Sequence, residues 1–250
     1  MVAPVNAVLL DIEGTTTSIS FVKDILFPYA REHLDAFLHE NWETDECKSI
    51  VGMLRDQVAA DRRSGQPAPP LPPADAEPAV LRAAVGRYLL LLMDADRKVT
   101  ALKRLQGLVW RDGYRSGRIA AHVYEDVPHA LEQWRRQGLT IWIYSSGSIA
   151  AQKLLFEHTP HGSLLQQFSG HFDTTTGPKT EQESYSKIAK AIGCSPDQIM
   201  FVTDIPKEAE AASGAGLLTT LAVRPGNAAL TADDRQRYAT VTDLRQVGVV

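Results

Sequence analysis

The sequence has 250 residues, of which 44% are hydrophobic, and a formal net charge of −4 at pH 7. This is enough apolar material for one large domain, or for a core domain with a smaller insert. The lysines and arginines are scattered without a sustained basic face, which argues against a nucleic-acid partner. Cys47 and Cys194 are far apart and lack the paired spacing of a zinc site, which is typical of packing residues in a reducing compartment.

The sequence also argues against secretion and membrane insertion. It opens without a basic segment followed by a long apolar stretch and a cleavage site. Its most hydrophobic later stretch, residues 89–93, is far shorter than the roughly 20 residues that a membrane-spanning helix needs. We therefore expect a cytoplasmic protein with no membrane partner, and a monomer is the default expectation.

The first part of the chain predicts one strand followed by a helical insert. Val8, Leu9 and Leu10 form an apolar run that stops at Asp11, as in a buried strand that enters a tight loop. Over residues 21–42 apolar residues recur at a spacing of three to four, which predicts a helix, broken or kinked at Pro28. Further helical patterns cover residues 45–63 and 79–106, on either side of a proline-rich loop over 66–78.

The second half alternates between helical and strand patterns. Strands are predicted over residues 140–144, 199–203 and 219–223, and helices over 128–137, 180–192 and 207–215. Such alternation indicates an α/β fold with a parallel, doubly wound sheet.

Polar groups follow three of these strands. Asp11 and Glu13 come after the first strand, Ser145 and Ser146 after the second, and Asp204 after the third. In open parallel sheets the ligand crevice lies outside the carboxyl ends of the strands, so these side chains are expected to converge at one edge.

The segment Asp11-Ile12-Glu13-Gly14-Thr15 has two interpretations. Alone, it matches a solvated acidic turn after a strand. Its position favours catalysis, because the strand holds the Asp11 carboxylate on a rigid element and Gly14 permits a sharp turn that uncovers the loop amides. A carboxylate that accepts a phosphoryl group needs that exposure.

Two further segments are candidates for binding phosphate. Ser145-Ser146-Gly147 can simply provide a helix N-cap, but a hydroxyl with free amides at a helix start is also a ready anion site. Lys179, in a loop after Gly177-Pro178, is ordinarily a solvated lysine. As a fixed cation it would instead neutralise phosphate charge and help to keep Asp11 ionised.

Asp204 is a candidate metal ligand. It either caps the helix that begins near Pro206 or joins Asp11 and Glu13 as a hard oxygen ligand for magnesium, which takes one or two carboxylates, waters and a phosphate oxygen. Glu208 lies four residues after Asp204 on the same helical face. A solvated surface glutamate is the favoured interpretation there, and orientation of a metal-bound water is the alternative.

The order Asp-x-acid-Gly-Thr, Ser-Ser-Gly, Lys and Thr-Asp resembles the four motifs of the haloacid dehalogenase superfamily. Closer similarity is carried by AVLLDIEGTTTSISFVKDILFPYAREHL, LQGLVWRDGYRSGRI and YSSGS, which resemble the enolase-phosphatase E1 group of methionine salvage. The similarity spans nearly the whole chain. Glu13, where most phosphatases of the superfamily have aspartate, is itself typical of the E1 group.

The resemblance implies a fold, a metal and a set of roles. The fold is a Rossmann-like phosphatase core over residues 1–20 and 121–250, with a helical cap over residues 21–120 inserted after the first strand. Asp11 forms an aspartyl phosphate, and Glu13 protonates the leaving oxygen and then activates water. One Mg²⁺ per subunit is held by Asp11, Glu13 and Asp204, and the substrate phosphate is held by Ser145, Ser146 and Lys179.

The substrate implied by this resemblance is 2,3-diketo-5-methylthiopentyl 1-phosphate, which is enolised and dephosphorylated to 1,2-dihydroxy-3-keto-5-methylthiopentene. Two alternatives stay open. The first is a general small-molecule phosphatase, dehalogenase or phosphonatase on the same core. The second is a non-catalytic module that accepts phosphate on an aspartate, against which the large helical insert argues. Two segments depart from the pattern of the family, the proline-rich loop and Ile205-Pro206-Lys207. They leave the motif residues intact and are expected to affect the motion of the cap and the substrate preference.

Overall fold

The computed structural model describes residues 4–249. The chain divides into two compact units. Residues 4–23 and 120–249 form one, here called the sheet unit, and residues 24–119 form the other, the helical unit. Across the described part of the chain, no helix combines the length and the apolar character needed to cross a membrane.

Six parallel strands form the sheet: β1 (Ala7–Leu10), β2 (Thr140–Tyr144), β3 (Gly170–Phe172), β4 (Ile199–Thr203), β5 (Leu218–Ala222) and β6 (Ala239–Val241). Their order is β3-β2-β1-β4-β5-β6. The chain builds one half of the sheet outward from β1, then returns to place β4 on the other side of β1. The predicted doubly wound α/β fold is therefore confirmed, and its topological switch point lies between β1 and β4.

The register of the sheet brings distant parts of the sequence together. Leu10 pairs with Ile143 of β2 and with Val202 of β4. The ladder continues one residue further, since the Asp11 amide donates to the Val202 carbonyl at 2.9 Å. The residues that leave β1, β2 and β4 therefore emerge side by side.

The helical unit contains α1 (Phe27–Glu32), α2 (Leu34–Asn41), α3 (Asp45–Arg63), α4 (Pro78–Asp94) and α5 (Thr100–Arg115), and a π-helical segment, Phe21–Leu26, precedes α1. Pro28 lies in the first turn of α1, where its missing amide proton leaves no intrahelical bond unmade. The predicted break at Pro28 is wrong: the helical backbone changes from π-helical to α-helical just before this residue, and the interruption comes at His33. Leu54, Tyr88, Leu89 and Leu105 belong to the buried core of this unit.

The sheet unit contributes α6 (Asp126–Arg136), α7 (Ile149–Glu157), α8 (Gln182–Ile192), α9 (Pro206–Gly214) and α10 (Ala232–Arg237). Tyr185 and Ile188 of α8 pack with Leu9 and Phe201 of the central strands. The sequence predicted α6, α8 and α9. It indicated a helix start after the serines that follow β2, without bounds for α7, and it did not predict α10. It also missed β3 and β6, which are only three residues long and so too short for an alternating pattern to be recognised.

Candidate active site

Asp11 is the first residue after β1, and its side chain is held from three directions. Its Oδ1 accepts hydrogen bonds from the Ile12 amide at 2.7 Å and from the Lys179 ammonium at 2.6 Å. Its Oδ2 lies 3.4 Å from the hydroxyl of Thr203, the last residue of β4. Although Asp11 is only 5% exposed, these contacts compensate for burial of the carboxylate.

Lys179 is a buried cation shared by two acids. Its Nζ lies 2.6 Å from Asp11 Oδ1 and 2.7 Å from Glu208 Oε2, and its side chain is 8% exposed. Burial alone would lower the pKa of Lys179, but the Asp11 and Glu208 carboxylates outweigh it and raise the pKa above its ordinary value. Tyr185 donates to the Lys179 carbonyl at 2.6 Å. The lysine is therefore both charged and fixed in place.

Glu208 is buried, so the expectation of a solvated surface glutamate is wrong. It lies in the first turn of α9, and its Oε2 accepts a hydrogen bond from the Thr203 hydroxyl at 2.8 Å in addition to the Lys179 contact. Because α9 packs on β4 and β5, this first turn faces the strand ends. The spacing of four from Asp204 was the available signal, but it does not reveal which face of the helix is covered.

Asp204 follows β4 and is buried against the loop after β1. Gly14 has a φ of +73°, and a Cβ at this position would collide with the Asp204 carboxylate. Glycine is thus required both for the backbone conformation and for the close approach. The N-cap residue of α9 is Ile205, without a side-chain capping bond, so the alternative of Asp204 as N-cap is wrong.

Negative charge is in excess at this edge of the sheet. The carboxylates of Asp11, Asp204 and Glu208 all interact with the Lys179 ammonium. Burial, and then repulsion from neighbouring carboxylates, raises the pKa of Asp204 to about 7, and burial and the charge of Asp11 raise that of Glu208 to about 7. Three acids opposite one lysine favour the uptake of a further cation.

The two serines that follow β2 differ in their exposure to solvent. Ser145 is buried, and its Oγ accepts from the Gly147 amide at 3.2 Å, whereas Ser146 is exposed. The N-cap of α7 is Ser148, whose Oγ accepts from the Ala151 amide at 3.3 Å. Since Ser148 provides the cap, the hydroxyls of Ser145 and Ser146 are not needed for it.

Glu13 lies half-buried in the loop after β1, and its backbone forms an isolated β-bridge with that of Thr17. Within residues 4–249, no three histidine, cysteine or acidic side chains are grouped closely enough to form a ready metal site. Magnesium needs only one or two carboxylates in addition to waters and a phosphate oxygen, and Asp11 and Asp204 meet that need chemically. The complete ligand set of Asp11, Glu13 and Asp204 stays a prediction.

The comparisons with known proteins agree with this architecture. The sequence profile described as haloacid dehalogenase-like hydrolase matches residues 5–216. Together with the doubly wound sheet and the acids at its switch point, this match shows that the chain belongs to the haloacid dehalogenase-like hydrolases.

The relatives define the family more narrowly. Enolase-phosphatase E1 of Salmo salar is 48% identical over 99% of this chain and 96% of its own length, and that of Danio rerio is 49% identical over 97% and 94%. The crystal structure of the UTR4 protein from Saccharomyces cerevisiae has a TM-score of 0.75 and 34% identity, covering 97% of this chain and 100% of that one. The chain belongs to the enolase-phosphatase E1 family, so the resemblance found in the sequence is confirmed.

Proposed function

We propose that the chain is a magnesium-dependent phosphatase that enolises 2,3-diketo-5-methylthiopentyl 1-phosphate and hydrolyses its phosphate ester, with Asp11 as nucleophile. The observation that carries the proposal is the Asp11 carboxylate at the switch point, 2.6 Å from the Lys179 ammonium and bordered by Asp204. Membership of the enolase-phosphatase E1 family supports the choice of substrate.

Enolisation moves a proton from C1 of the substrate to the oxygen on C2, which leaves an enol ester of phosphate. In the first step of hydrolysis an Asp11 carboxylate oxygen then attacks phosphorus, and the bond between phosphorus and the enol oxygen on C1 breaks. Glu13, two residues further along the loop, donates a proton to that leaving oxygen. In the second step Glu13 takes a proton from water as the water oxygen attacks phosphorus, and the bond to Asp11 breaks to release inorganic phosphate. The products are free phosphate and 1,2-dihydroxy-3-keto-5-methylthiopentene.

Lys179 is suited to hold the phosphate while these steps take place. An ammonium group has three donors, of which two face Asp11 and Glu208. The third is available for a phosphate oxygen, and the accessible Ser146 and the neighbouring Ser145 complete the proposed phosphate site. Donors that are already oriented stabilise developing charge without having to reorganise.

Asp11, Asp204 and Glu13 are the proposed holders of Mg²⁺. The excess of buried carboxylates over cations fits a divalent ion. When bound, Mg²⁺ neutralises negative charge so that one anion can approach another. We further propose that the helical unit serves as the cap that excludes water. A cytoplasmic location and a monomeric state remain predictions from the sequence.

The Asp11→Asn variant tests the nucleophile. We expect release of phosphate from the diketone phosphate to fall by at least about three orders of magnitude, the scale observed when one member of a catalytic group is removed. Circular dichroism should show an unchanged fold. Asp197→Asn is the matched control, because Asp197 is exposed just before β4 and therefore lies at the opposite end of that strand. Near-wild-type turnover in Asp11→Asn would exclude Asp11 as the nucleophile.

A comparison of substrates separates the proposed activity from that of a general phosphatase. We expect the diketone phosphate to be hydrolysed with Mg²⁺ and unrelated sugar phosphates to be hydrolysed weakly. Equal kcat/KM values for the two would contradict the specific assignment while leaving the nucleophile in place.

A further inference from the structure

The loop after β1 is held from outside by an unbroken row of hydrogen bonds. Three consecutive carbonyls of the loop each accept a bond from a residue distant in sequence: Gly14 from Asn227 Nδ2 at 2.9 Å, Thr15 from Arg224 Nε at 3.1 Å, and Thr16 from the Tyr124 amide at 3.1 Å. Within the loop, the backbone amides of residues 15–17 all donate hydrogen bonds to the Ile12 carbonyl. Both sides of the turn that carries Glu13 are thereby fixed.

Arg224 is itself held rigidly. Its guanidinium forms a two-pronged pair with Asp126, at 2.9 and 2.7 Å, and donates to the Thr242 carbonyl at 2.8 Å. It also stacks 4.3 Å from the ring of Tyr124 and is only 4% exposed. Asp126 in turn accepts the Leu244 amide at 2.6 Å. A planar guanidinium fixed at both ends points its Nε in one direction, and that direction is the Thr15 carbonyl.

Asn227 ties the loop to the end of β5. Its side-chain nitrogen lies 2.9 Å from the Gly14 carbonyl and 3.2 Å from the Ala222 carbonyl. Two carbonyls can be satisfied only by the NH₂ group, so the orientation of the amide is determined. Gly14 is also the residue on which the Asp204 carboxylate packs. Asn227 thus fixes the point at which the loop after β1 meets the residue after β4.

We infer that Arg224 and Asn227 are positioning residues, which hold the Gly14 and Thr15 carbonyls and so fix Glu13 and Asp11 relative to Asp204. The inference rests on the proposed function and extends it to residues outside the proposed phosphate and metal sites. Phosphoryl transfer depends mainly on placing groups correctly. If this loop were free to shift, the kcat of the enzyme would therefore fall more than its affinity for substrate.

Two variants of Asn227, measured in the full chain with saturating Mg²⁺, test the inference. Asn227→Ala removes the donor and the volume, whereas Asn227→Asp keeps the volume and places an acceptor against two carbonyls. We expect kcat for the diketone phosphate to fall about 10- to 100-fold in both, with KM changed by less than about threefold. Asn227→Asp should be at least as impaired as Asn227→Ala. If Asn227 only filled space, the aspartate variant would be the milder one, and that order would overturn the inference.

Thr231→Ala is the matched control for stability. Thr231 caps α10 by accepting the Asp234 amide at 3.1 Å and lies four positions after Asn227 in the same segment. Its removal destabilises the same region of the chain and should leave kcat within about twofold of wild type when assayed well below the unfolding temperature. A kcat in Asn227→Ala equal to that of Thr231→Ala would also overturn the inference.

Binding of beryllium trifluoride provides a readout that needs no organic substrate. This anion mimics a phosphoryl group on an aspartate, and its complex with the Mg²⁺-loaded protein can be titrated by fluorine NMR. We expect weaker binding in both Asn227 variants and wild-type binding in Thr231→Ala. If the wild-type protein fails to hydrolyse the diketone phosphate, the proposed substrate is wrong and this titration alone decides the positioning role. Unchanged binding in the Asn227 variants would then refute it.

Discussion

Two buried acids in this molecule have opposite surroundings. In the helical unit, Asp61 of α3 is 2% exposed and fully satisfied by a guanidinium, a hydroxyl and an amide. Arg97 bonds both of its oxygens, Tyr88 donates at 2.6 Å and Gln57 at 2.7 Å. The Arg97 hydrogen bonds, with help from Tyr88 and Gln57, lower the pKa of Asp61 to about 2. In the sheet unit, by contrast, Lys179 pairs with two acids, Asp11 and Glu208, and a third acid, Asp204, lies close to them. Burial and the neighbouring carboxylates raise the pKa values of Asp204 and Glu208 to about 7.

The difference in surroundings distinguishes an acid that stabilises the fold, Asp61, from acids that are suited to bind a ligand, Asp204 and Glu208. Asp61 has as many donors as its charge requires, so it gains nothing from a ligand. At the ends of β1 and β4 the carboxylates of Asp11, Asp204 and Glu208 outnumber the positive charge of Lys179, so that an additional cation changes their energy. Perturbed acids of this kind concentrate at functional sites.

Among the tests of this contrast, the largest effect is expected from removing the charge of Lys179, which pairs with Asp11 and Glu208. In Lys179→Met the side chain keeps its length but loses its charge, and we expect kcat/KM for the diketone phosphate to fall about 10²- to 10³-fold, as when a preorganised donor is lost. Lys187→Met is the matched control, because Lys187 forms an exposed pair with Glu183 on the surface of α8. Equal activity in the two variants would remove Lys179 from the site.

An intermediate effect is expected from Asp61→Asn, this time on stability. The substitution leaves a guanidinium and a hydroxyl without their anion. Because the Arg97 side chain is 25% exposed, water recovers part of the loss, and we expect the free energy of unfolding to fall by about 2–3 kcal/mol. Urea titration followed by circular dichroism measures it. Asp94→Asn, which breaks an exposed pair with Arg31, should cost less than about 0.5 kcal/mol.

The smallest effect concerns acid stability. Asp61 has a pKa of about 2 in the folded protein against an ordinary value of 3.8, so the unfolded chain binds its proton more readily. The stabilisation is complete above the unfolded value and is lost as pH falls from about 4 towards 2. The free energy of unfolding of Asp61→Asn should therefore fall less steeply than that of wild type in this window, and Asp94→Asn should follow wild type. A parallel decline in all three proteins would contradict the pairing of Asp61.

Much of the architecture is predictable from local sequence patterns. The strands over residues 140–144 and 199–203 and the helix over 45–63 have the predicted bounds, because each has a strong periodicity and clear end signals. Asp11, Asp204 and Lys179 are predictable as site residues because they follow strands or a turn and match the order of motifs of the haloacid dehalogenase superfamily. The final helix of the helical unit extends to Arg115, beyond the predicted residue 106, since no proline marks its end.

What lies around those residues was decided by the tertiary structure. Glu208 looks like a surface residue in the sequence, and its burial depends on the packing of α9 against β4 and β5. Arg224 and Asn227 carry no local signal, because they act on a loop more than two hundred positions earlier in the chain.

The sequence by itself determined which groups are available for chemistry, since residue type and local periodicity act over a few positions. Only the tertiary structure decided which of them share a cation, which are buried and which hold the loop after β1. Those properties arise from the insertion of β4 beside β1, and a contact between strands so distant in the chain leaves no trace in either segment alone.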